Sequence, residues 1–228
     1  VMALGNENLS VEQVETYEIG YKGIVGSNLF VTLDYYESNL TNFVTDLLPG
    51  VNPAYYTPYE FPDTIPAAVQ EILTGLIKSR LPTSILPGLT VNNDPNNPYV
   101  PVGHPMIVVS YTNAGEVDVK GLDLAFNYYL NPQITIDGNY SWFDFEVVDA
   151  GVEGSIVPNA PENKWNLGFT YKGPNYSFGM KYKYTEGFPW AAGIFVGEVP
   201  TYGSLSLNGT YDFGDQLRMT LNVINATD

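Results

Sequence analysis

The segment that decides the fold is VKGLDLAFNYYLNPQITIDGNYSW, residues Val119–Trp142. Two runs in this segment carry an apolar or aromatic side chain at every second position, and the turn formers Asn131 and Pro132 separate them. A period of two is typical of β-strands. The segment therefore predicts a long antiparallel hairpin with one apolar face and one face of Asp, Asn, Thr and Ser.

Three further hairpins with the same alternation are predicted at residues 15–38, 165–184 and 204–223, which gives eight strands. The turns inside the hairpins are short, whereas the connections between hairpins, at residues 46–105, 147–164 and 188–201, are long. This sorting of loops is typical of outer-membrane β-barrels, which have short periplasmic turns and long extracellular loops. The fold class predicted is therefore all-β, an antiparallel transmembrane β-barrel.

Aromatic side chains lie at both ends of the predicted strands, as expected for the two girdles at the membrane interfaces. Those beside the short turns are Tyr21, Tyr128, Tyr171, Tyr176 and Tyr211, and those toward the long loops are Tyr35, Trp142, Trp165 and Tyr184. Because lipid offers no hydrogen bonds to the backbone, such a sheet has to close. If the first short turn is periplasmic, the eight strands place both ends of this chain on the outer side. A complete eight-stranded barrel has both ends in the periplasm, so we expect these strands to be part of a larger barrel.

The composition excludes several classes of function. The 228 residues carry a net charge of -16 and only nine Lys and Arg, which disfavours nucleic acid as a partner because phosphates require a basic patch. There is no cysteine, and His104 is the single histidine. We therefore expect no disulfide, no metal site, no cofactor and no enzymatic activity; neither a GxSxG motif nor a phosphate-binding glycine loop occurs.

Five segments resemble, in order, the C-terminal barrel of TonB-dependent outer-membrane receptors. They are LSVEQVETYEIGYKG (9–23), LFVTLDYYESNLTNFV (29–44), YTNAGEVDVKGLDLAFNYYL (111–130), VPNAPENKWNLGFTYKG (157–173) and LRMTLNVINATD (217–228). The resemblance implies a barrel of about 22 strands around a plug domain. Residues 1–228 would be its C-terminal portion, with 46–105 as an extracellular insertion, and the plug, the earlier strands and the last strand outside this sequence.

The resemblance also implies a function and partners. A receptor of this family takes up a scarce ligand, such as a ferric siderophore, cobalamin, haem or a glycan, across the outer membrane of a Gram-negative bacterium. The TonB complex acts on it through the plug, and outer-membrane lipid and lipopolysaccharide surround it. Two alternatives remain open: a passive porin-like channel, and a secreted β-rich binding or adhesion module.

The long insertion at 46–105 predicts a helix that begins near Asp63 or Thr64, with Pro66 in its first turn. An apolar stripe follows it, comprising Ile65, Ala68, Val69, Ile72, Leu73 and Leu76. The helix either packs against neighbouring loops or forms a lid or docking face for a surface lipoprotein.

Two groups of loop residues are candidates for ligand binding. Aromatic side chains could stack on sugars or aromatic siderophores, or pack among themselves; they are Tyr55, Tyr56, Tyr59, Phe61 and Trp190. The segment VNNDPNNP, Val91–Pro98, has the oxygen donors of a calcium loop, but Asn, Asp and Pro are also the residues that form turns, and turn chemistry is favoured.

Overall fold

The computed structural model describes residues 1–52, 60–81, 83–150, 156–192 and 195–227. In chain order the elements are β1 (Met2–Leu4), β2 (Gln13–Val25), β3 (Leu29–Thr41), β4 (Leu48–Pro49), α1 (Ala67–Arg80), a 3-10 helix (Thr83–Gly88), β5 (Leu89–Val91), β6 (Pro105–Ser110), β7 (Glu116–Tyr129), β8 (Ile134–Asp149), β9 (Asn163–Lys172), β10 (Tyr176–Thr185), β11 (Phe188–Ala192), β12 (Phe195–Val199), β13 (Tyr202–Asp212) and β14 (Arg218–Val223).

The largest unit is an eight-stranded antiparallel sheet, which we call the large sheet. Its strand order is β2-β3-β7-β8-β9-β10-β13-β14, so each predicted hairpin pairs with the next one along the chain. Within the described residues β2 and β14 form its two edges and the sheet is open. The eight predicted strands are confirmed, and the open sheet agrees with the expectation that they are part of a larger barrel.

The register of the large sheet sorts side chains onto two faces. One cross-strand row consists of Tyr21, Leu33, Leu124, Tyr140 and Trp165. The next row, on the opposite face, consists of Thr32, Ala125, Asn139 and Asn166. We call these the apolar face and the polar face. Large side chains on the apolar face stay exposed, for example Ile19 at 74% and Met219 at 62%.

The short turns are built from residues whose chemistry suits them. The side-chain Oδ1 of Asn131 accepts hydrogen bonds from the backbone N–H groups of Gln133 and Ile134, both at 2.9 Å, and so closes the β7–β8 turn. Gly26 and Gly214, in the β2–β3 and β13–β14 turns, have φ of 67° and 73°. This left-handed region costs glycine little because it has no Cβ.

An ion pair on the polar face depends on a glycine. Asp137 of β8 and Lys181 of β10 both pair with Gly168 of the strand between them. A Cβ at Gly168 would lie 2.5 Å from Oδ1 of Asp137, and the open space lets Nζ of Lys181 approach the carboxylate to 3.3 Å. Both side chains are partly exposed, so the pair contributes little to stability.

A second unit, which we call the loop layer, consists of β1, β4, β5, β6 and the 3-10 helix. β6 pairs in parallel with β1, Met2 opposite Val108, and antiparallel with β4 and β5. Most of the buried hydrophobic residues that the structure describes lie in this layer and the chain next to it; they are Ile85, Met106, Val108, Val109 and Ala114. The layer arises from the long connection between β3 and β7 and was not predicted from the sequence.

Buried hydrogen bonds attach the chain around β1 to the loop layer. Ser110 Oγ donates to the Leu4 carbonyl at 2.8 Å, and the Asn52 side-chain Nδ2 donates to the Gly5 carbonyl at 2.9 Å and to Ser110 Oγ at 3.2 Å. Ser110 and Asn52 are both buried. Since a buried polar group is costly unless it is hydrogen-bonded, these two side chains fix the position of residues 4–5.

The predicted helix is present, but its predicted start is wrong. α1 begins at Ala67, and Pro66 is its N-cap, with an extended ψ of 142°, and not a residue of the first turn. Ile65 precedes a proline and is therefore disfavoured in the helical region, so the helix cannot extend back to Asp63 or Thr64. None of its residues is buried, and Ile72 is 64% exposed. No helix in the described ranges has the length and apolarity needed to span a membrane.

Candidate functional site

A cleft of about 980 Å³ lies at the long-loop end of the large sheet. Its floor comes from β7 and β8, and its sides come from residues 43–51, residues 156–159 and the β11–β12 hairpin. The long connections thus enclose a cavity of the size that ordinarily holds a small molecule.

The floor of the cleft is apolar, although it belongs to the polar face. Val119 of β7 pairs with Phe145 of β8, and Phe143 is two residues away on the same face, with the two phenylalanine ring centroids 6.4 Å apart. Asn139 and Ser141 continue that face toward the short turns. Along β8 the side chains of the polar face therefore change from amide and hydroxyl groups near the short turn to aromatic rings near the long loops.

Next to the floor, a tyrosine ring covers a glycine of β7. Gly121 of β7 pairs with Tyr36 on one side and with Phe143 on the other. A Cβ at Gly121 would lie 2.2–2.5 Å from atoms of the Tyr36 ring, so the ring covers the glycine. Glycine at this position therefore leaves room for the ring of Tyr36.

The β11–β12 hairpin is held over the cleft by one asparagine. The Ala191 backbone N–H donates to Asn159 Oδ1 at 2.8 Å, and Asn159 Nδ2 donates to the Ala191 carbonyl at 2.7 Å. The Asn159 side chain therefore binds Ala191 as a neighbouring strand would. Its backbone φ of 51° is left-handed, which asparagine tolerates better than most residues.

Further hydrogen bonds fix the base of the same hairpin. The Gly187 N–H donates to Thr201 Oγ1 at 2.8 Å, and Asn163 Nδ2 donates to Glu186 Oε2 at 2.6 Å. Asn163 Oδ1 in turn accepts from the Tyr140 hydroxyl at 2.6 Å. The hairpin is thus tied to the large sheet at its base and to residues 156–159 at Ala191.

The chemistry of the cleft is dominated by apolar groups. Among the lining residues that the structure describes, Asp46 is the only one with a charge, and none is Lys, Arg, His or Cys. The Asp46 carboxylate accepts the Leu47 N–H at 2.8 Å. The described ranges contain no group of three or more His, Cys, Asp or Glu that could hold a metal ion. The described lining can bind apolar and aromatic surfaces.

The predicted ligand-contact residues do not line this cleft where the structure describes them. Tyr55, Tyr56 and Tyr59 lie outside the described residues. Phe61 is half-buried just before α1. Trp190 is 43% exposed on β11, and its neighbour Ala191 lines the cleft instead. A role for these aromatic residues in ligand contact stays a prediction.

Sequence reasoning missed the floor residues Val119, Phe143 and Phe145. A signal was present, because Phe143 and Phe145 occupy positions of β8 at which Asp137, Asn139 and Ser141 predict polar side chains. Two phenylalanines on the polar face at one end of a strand mark a place where that face contacts something apolar.

The segment Val91–Pro98 forms turns, as the sequence favoured. Asn92 is buried, its Oδ1 accepts the Asp94 N–H at 3.0 Å, and its Nδ2 donates to the Val100 carbonyl at 2.5 Å. Asn97 Oδ1 accepts the Tyr99 N–H at 2.9 Å. The carbonyl of His104 accepts the Asn92 N–H at 3.0 Å and closes the loop, while the His104 side chain is exposed.

Comparison with known proteins gives a consistent result. A family model described as "TonB dependent receptor-like, beta-barrel" matches residues 1–226. No curated protein sequence matches the chain. Similar solved structures include the copper transporter OprC (12% identity, TM-score 0.59, 96% of this chain and 26% of that chain) and the siderophore receptor PirA from Acinetobacter baumannii (13%, 0.57, 99% and 29%).

A third similar structure is the FrpB iron transporter from Neisseria meningitidis, at 12% identity and a TM-score of 0.56, covering 98% of this chain and 28% of that chain. At these identities the likeness shows the fold alone. The chain spans between 26% and 29% of the length of these three proteins.

Proposed function

The chain belongs to the TonB-dependent receptor family through its β-barrel domain, and from this premise we propose that it is part of an outer-membrane receptor for TonB-dependent uptake of a scarce ligand. The large sheet forms a portion of the barrel wall, and the loop layer, α1 and the β11–β12 hairpin lie on the extracellular side. Like its structural neighbours, which are transporters and receptors, it serves transport and not catalysis.

The observation that carries this proposal is the apolar face of the large sheet. Its large apolar side chains include exposed ones on β2, β3, β9, β10, β13 and β14 and half-buried ones on β7 and β8, and within the described residues no second layer covers them. Acyl chains of the outer membrane supply the missing apolar contact. The polar face then lines the lumen, where it contacts water and the plug domain.

The ligand is one that passive diffusion cannot supply, such as a ferric siderophore, cobalamin, haem or a glycan. Support comes from the neighbours, since OprC is a copper transporter, FrpB an iron transporter and PirA a siderophore receptor. We assign the cleft between the loops as a contact site for this ligand at the extracellular mouth of the lumen. TonB acts through the plug, and the exposed side of α1 is available to a surface lipoprotein.

Topology can be tested directly because these 228 residues contain no cysteine. In the full-length receptor, Tyr99→Cys in the long connection is expected to react with a membrane-impermeant maleimide on intact cells. Gln216→Cys in the β13–β14 turn is expected to react only after the outer membrane is permeabilised. Equal labelling of the two sites on intact cells would contradict the proposed orientation.

Energy coupling requires a separate experiment. Cells are given radiolabelled ferric siderophores, cobalamin, haem and oligosaccharides, with and without the receptor gene and with and without a functional TonB. We expect accumulation of one of these compounds to need both proteins. Accumulation that needs the receptor but continues without TonB would identify a passive channel, and release of the protein from membranes by urea alone would identify a secreted module.

A further inference from the structure

We propose that the cleft accepts an uncharged, apolar or aromatic part of the ligand and excludes anionic groups. This inference rests on the proposed uptake function and adds to it the chemical class that the cleft recognises.

The floor of the cleft favours binding of a flat apolar group of the ligand, because it is formed by two aromatic rings and a valine. Phe143 and Phe145 are inclined to each other by 28°, and Val119 lies beside them. All three side chains are half-buried, so a ligand can still remove apolar surface from water by covering them. Aromatic partners gain additional stabilisation from offset stacking on such rings.

The charge of the cleft disfavours an anion. Of the described lining residues only Asp46 is charged, and it is negative. A carboxylate or catecholate would require a positively charged partner, and the described lining contains no Lys, Arg or His. A charged group that leaves water without a partner pays a large desolvation penalty, and the net charge of -16 adds repulsion.

Two polar side chains of the lining, Asn159 and Thr45, form hydrogen bonds with the walls of the cleft. Both ends of the Asn159 amide are engaged with the Ala191 backbone, and the Thr45 hydroxyl donates to the Asp46 carbonyl at 2.8 Å. The apolar side chains of the described lining include those of Val119, Phe143, Phe145 and Val196. Recognition in this cleft therefore depends on apolar fit, with the Asn159–Ala191 contact keeping the hairpin in position.

Two fluorescent probes of nearly the same size test the inference, with the full-length receptor in lipid nanodiscs. N-phenyl-1-naphthylamine is neutral, whereas 8-anilino-1-naphthalenesulfonate carries one sulfonate. Both probes also dissolve in the lipid, so only the fluorescence that is lost in the Phe145→Ser variant is counted as binding to the cleft. Phe213→Ser, in the β13–β14 turn, is the control and is expected to leave binding unchanged. We expect the cleft to bind the neutral probe at least about tenfold more tightly than the sulfonate.

A cation placed in the cleft should reverse this preference. Val119→Lys is expected to increase sulfonate affinity, and the control Val148→Lys, at an exposed position of the neighbouring strand outside the described lining, is expected to leave it unchanged. If Val119→Lys fails to fold, Val157→Lys in the loop lining the cleft provides the same charge. Equal or tighter binding of the sulfonate to the original receptor, or no Phe145-dependent binding of either probe, would overturn the inference.

Failure of this inference is distinguishable from failure of the proposed function. A receptor that shows the expected maleimide labelling and TonB-dependent uptake, but prefers the sulfonate, refutes only the ligand class. A protein that fails the labelling and uptake tests refutes the proposed function, whatever its preference between the probes.

Discussion

The large sheet and the loop layer bury their apolar side chains in opposite ways. In the large sheet, side chains such as Ile19 and Leu33 are exposed on the apolar face, and in the described residues only Val117, at the long-loop end of β7, is a buried hydrophobic residue. In the loop layer Met106, Val108 and Val109 of β6 are buried. The loop layer carries its own core, whereas the large sheet needs an apolar surrounding.

The two units therefore depend on different surroundings, lipid for the large sheet and water for the loop layer. Lipid replaces the second layer that a soluble sheet would require, so the stability of the large sheet should depend on the membrane. In the proposed arrangement the loop layer is in water and has a core of its own, as a small globular domain does. A buried charge or an unpaired polar group in that core is costly. Substitutions in the two units should therefore respond differently to removal of lipid.

The largest effect is expected in the core of the loop layer. Val108→Asp buries a carboxylate with no cationic partner and should destabilise the layer by about 3–5 kcal/mol, in lipid and in detergent alike. Hydrogen exchange at residues 105–110 would measure it. Val102→Asp, at an exposed position of the same connection, is the control, and equal protection in the two variants would contradict a separate core.

The next effect concerns the apolar face of the large sheet. Leu124→Arg should cost about 2–4 kcal/mol in lipid vesicles, because the guanidinium would lie among acyl chains. Asp123→Asn, the adjacent residue on the polar face, should leave the free energy of unfolding almost unchanged. Urea unfolding of the two variants in vesicles makes the comparison, and similar losses would mean that the faces are assigned wrongly.

A smaller effect is expected at the contact between β1 and the loop layer. Asn52→Ala removes the donor to the Gly5 carbonyl and to Ser110 Oγ, which should cost about 1–3 kcal/mol. Faster proteolysis near residues 1–12, with the large sheet unaffected, is the expected readout. Unchanged proteolysis would show that the backbone pairing with β6 and the Ser110–Leu4 hydrogen bond hold β1 without Asn52.

The smallest effect is expected at the ion pair on the polar face. Lys181→Met removes the partner of Asp137 at a partly exposed site, where such pairs contribute less than about 1 kcal/mol. Thermal unfolding in vesicles should therefore barely change. A loss of stability as large as that of Leu124→Arg would show that the ion pair is shielded from water and does not face a water-filled lumen.

The large sheet could be predicted from sequence because its information is local. Alternation of Leu122, Leu124 and Phe126 with polar residues sets the strand and its faces, and Asn131 sets the turn. Such patterns are read within a window of a few residues. Within each hairpin the two strands pair across a short turn, whereas β3 pairs with β7 and β10 with β13 across long connections.

The loop layer could not be predicted because its information is not local. β6 is a continuous apolar run, with Val108 and Val109 both buried, so it shows no period of two. Its partner β1 is three residues long and far away in the chain. The cleft could not be predicted for the same reason. Asn159 and Ala191 are 32 positions apart in the chain and meet only in the folded structure.

The parallel pairing of β1 with β6 has a consequence for the order of folding. Leu4 and Ser110, which this pairing joins, are 106 positions apart, whereas each hairpin of the large sheet closes over a few residues. Closing a long loop costs more chain entropy, and distant contacts form late. We expect the hairpins of the large sheet to form first and the pairing of β1 with β6 to form last, so that folding passes through a stage in which the large sheet is complete and the loop layer is not.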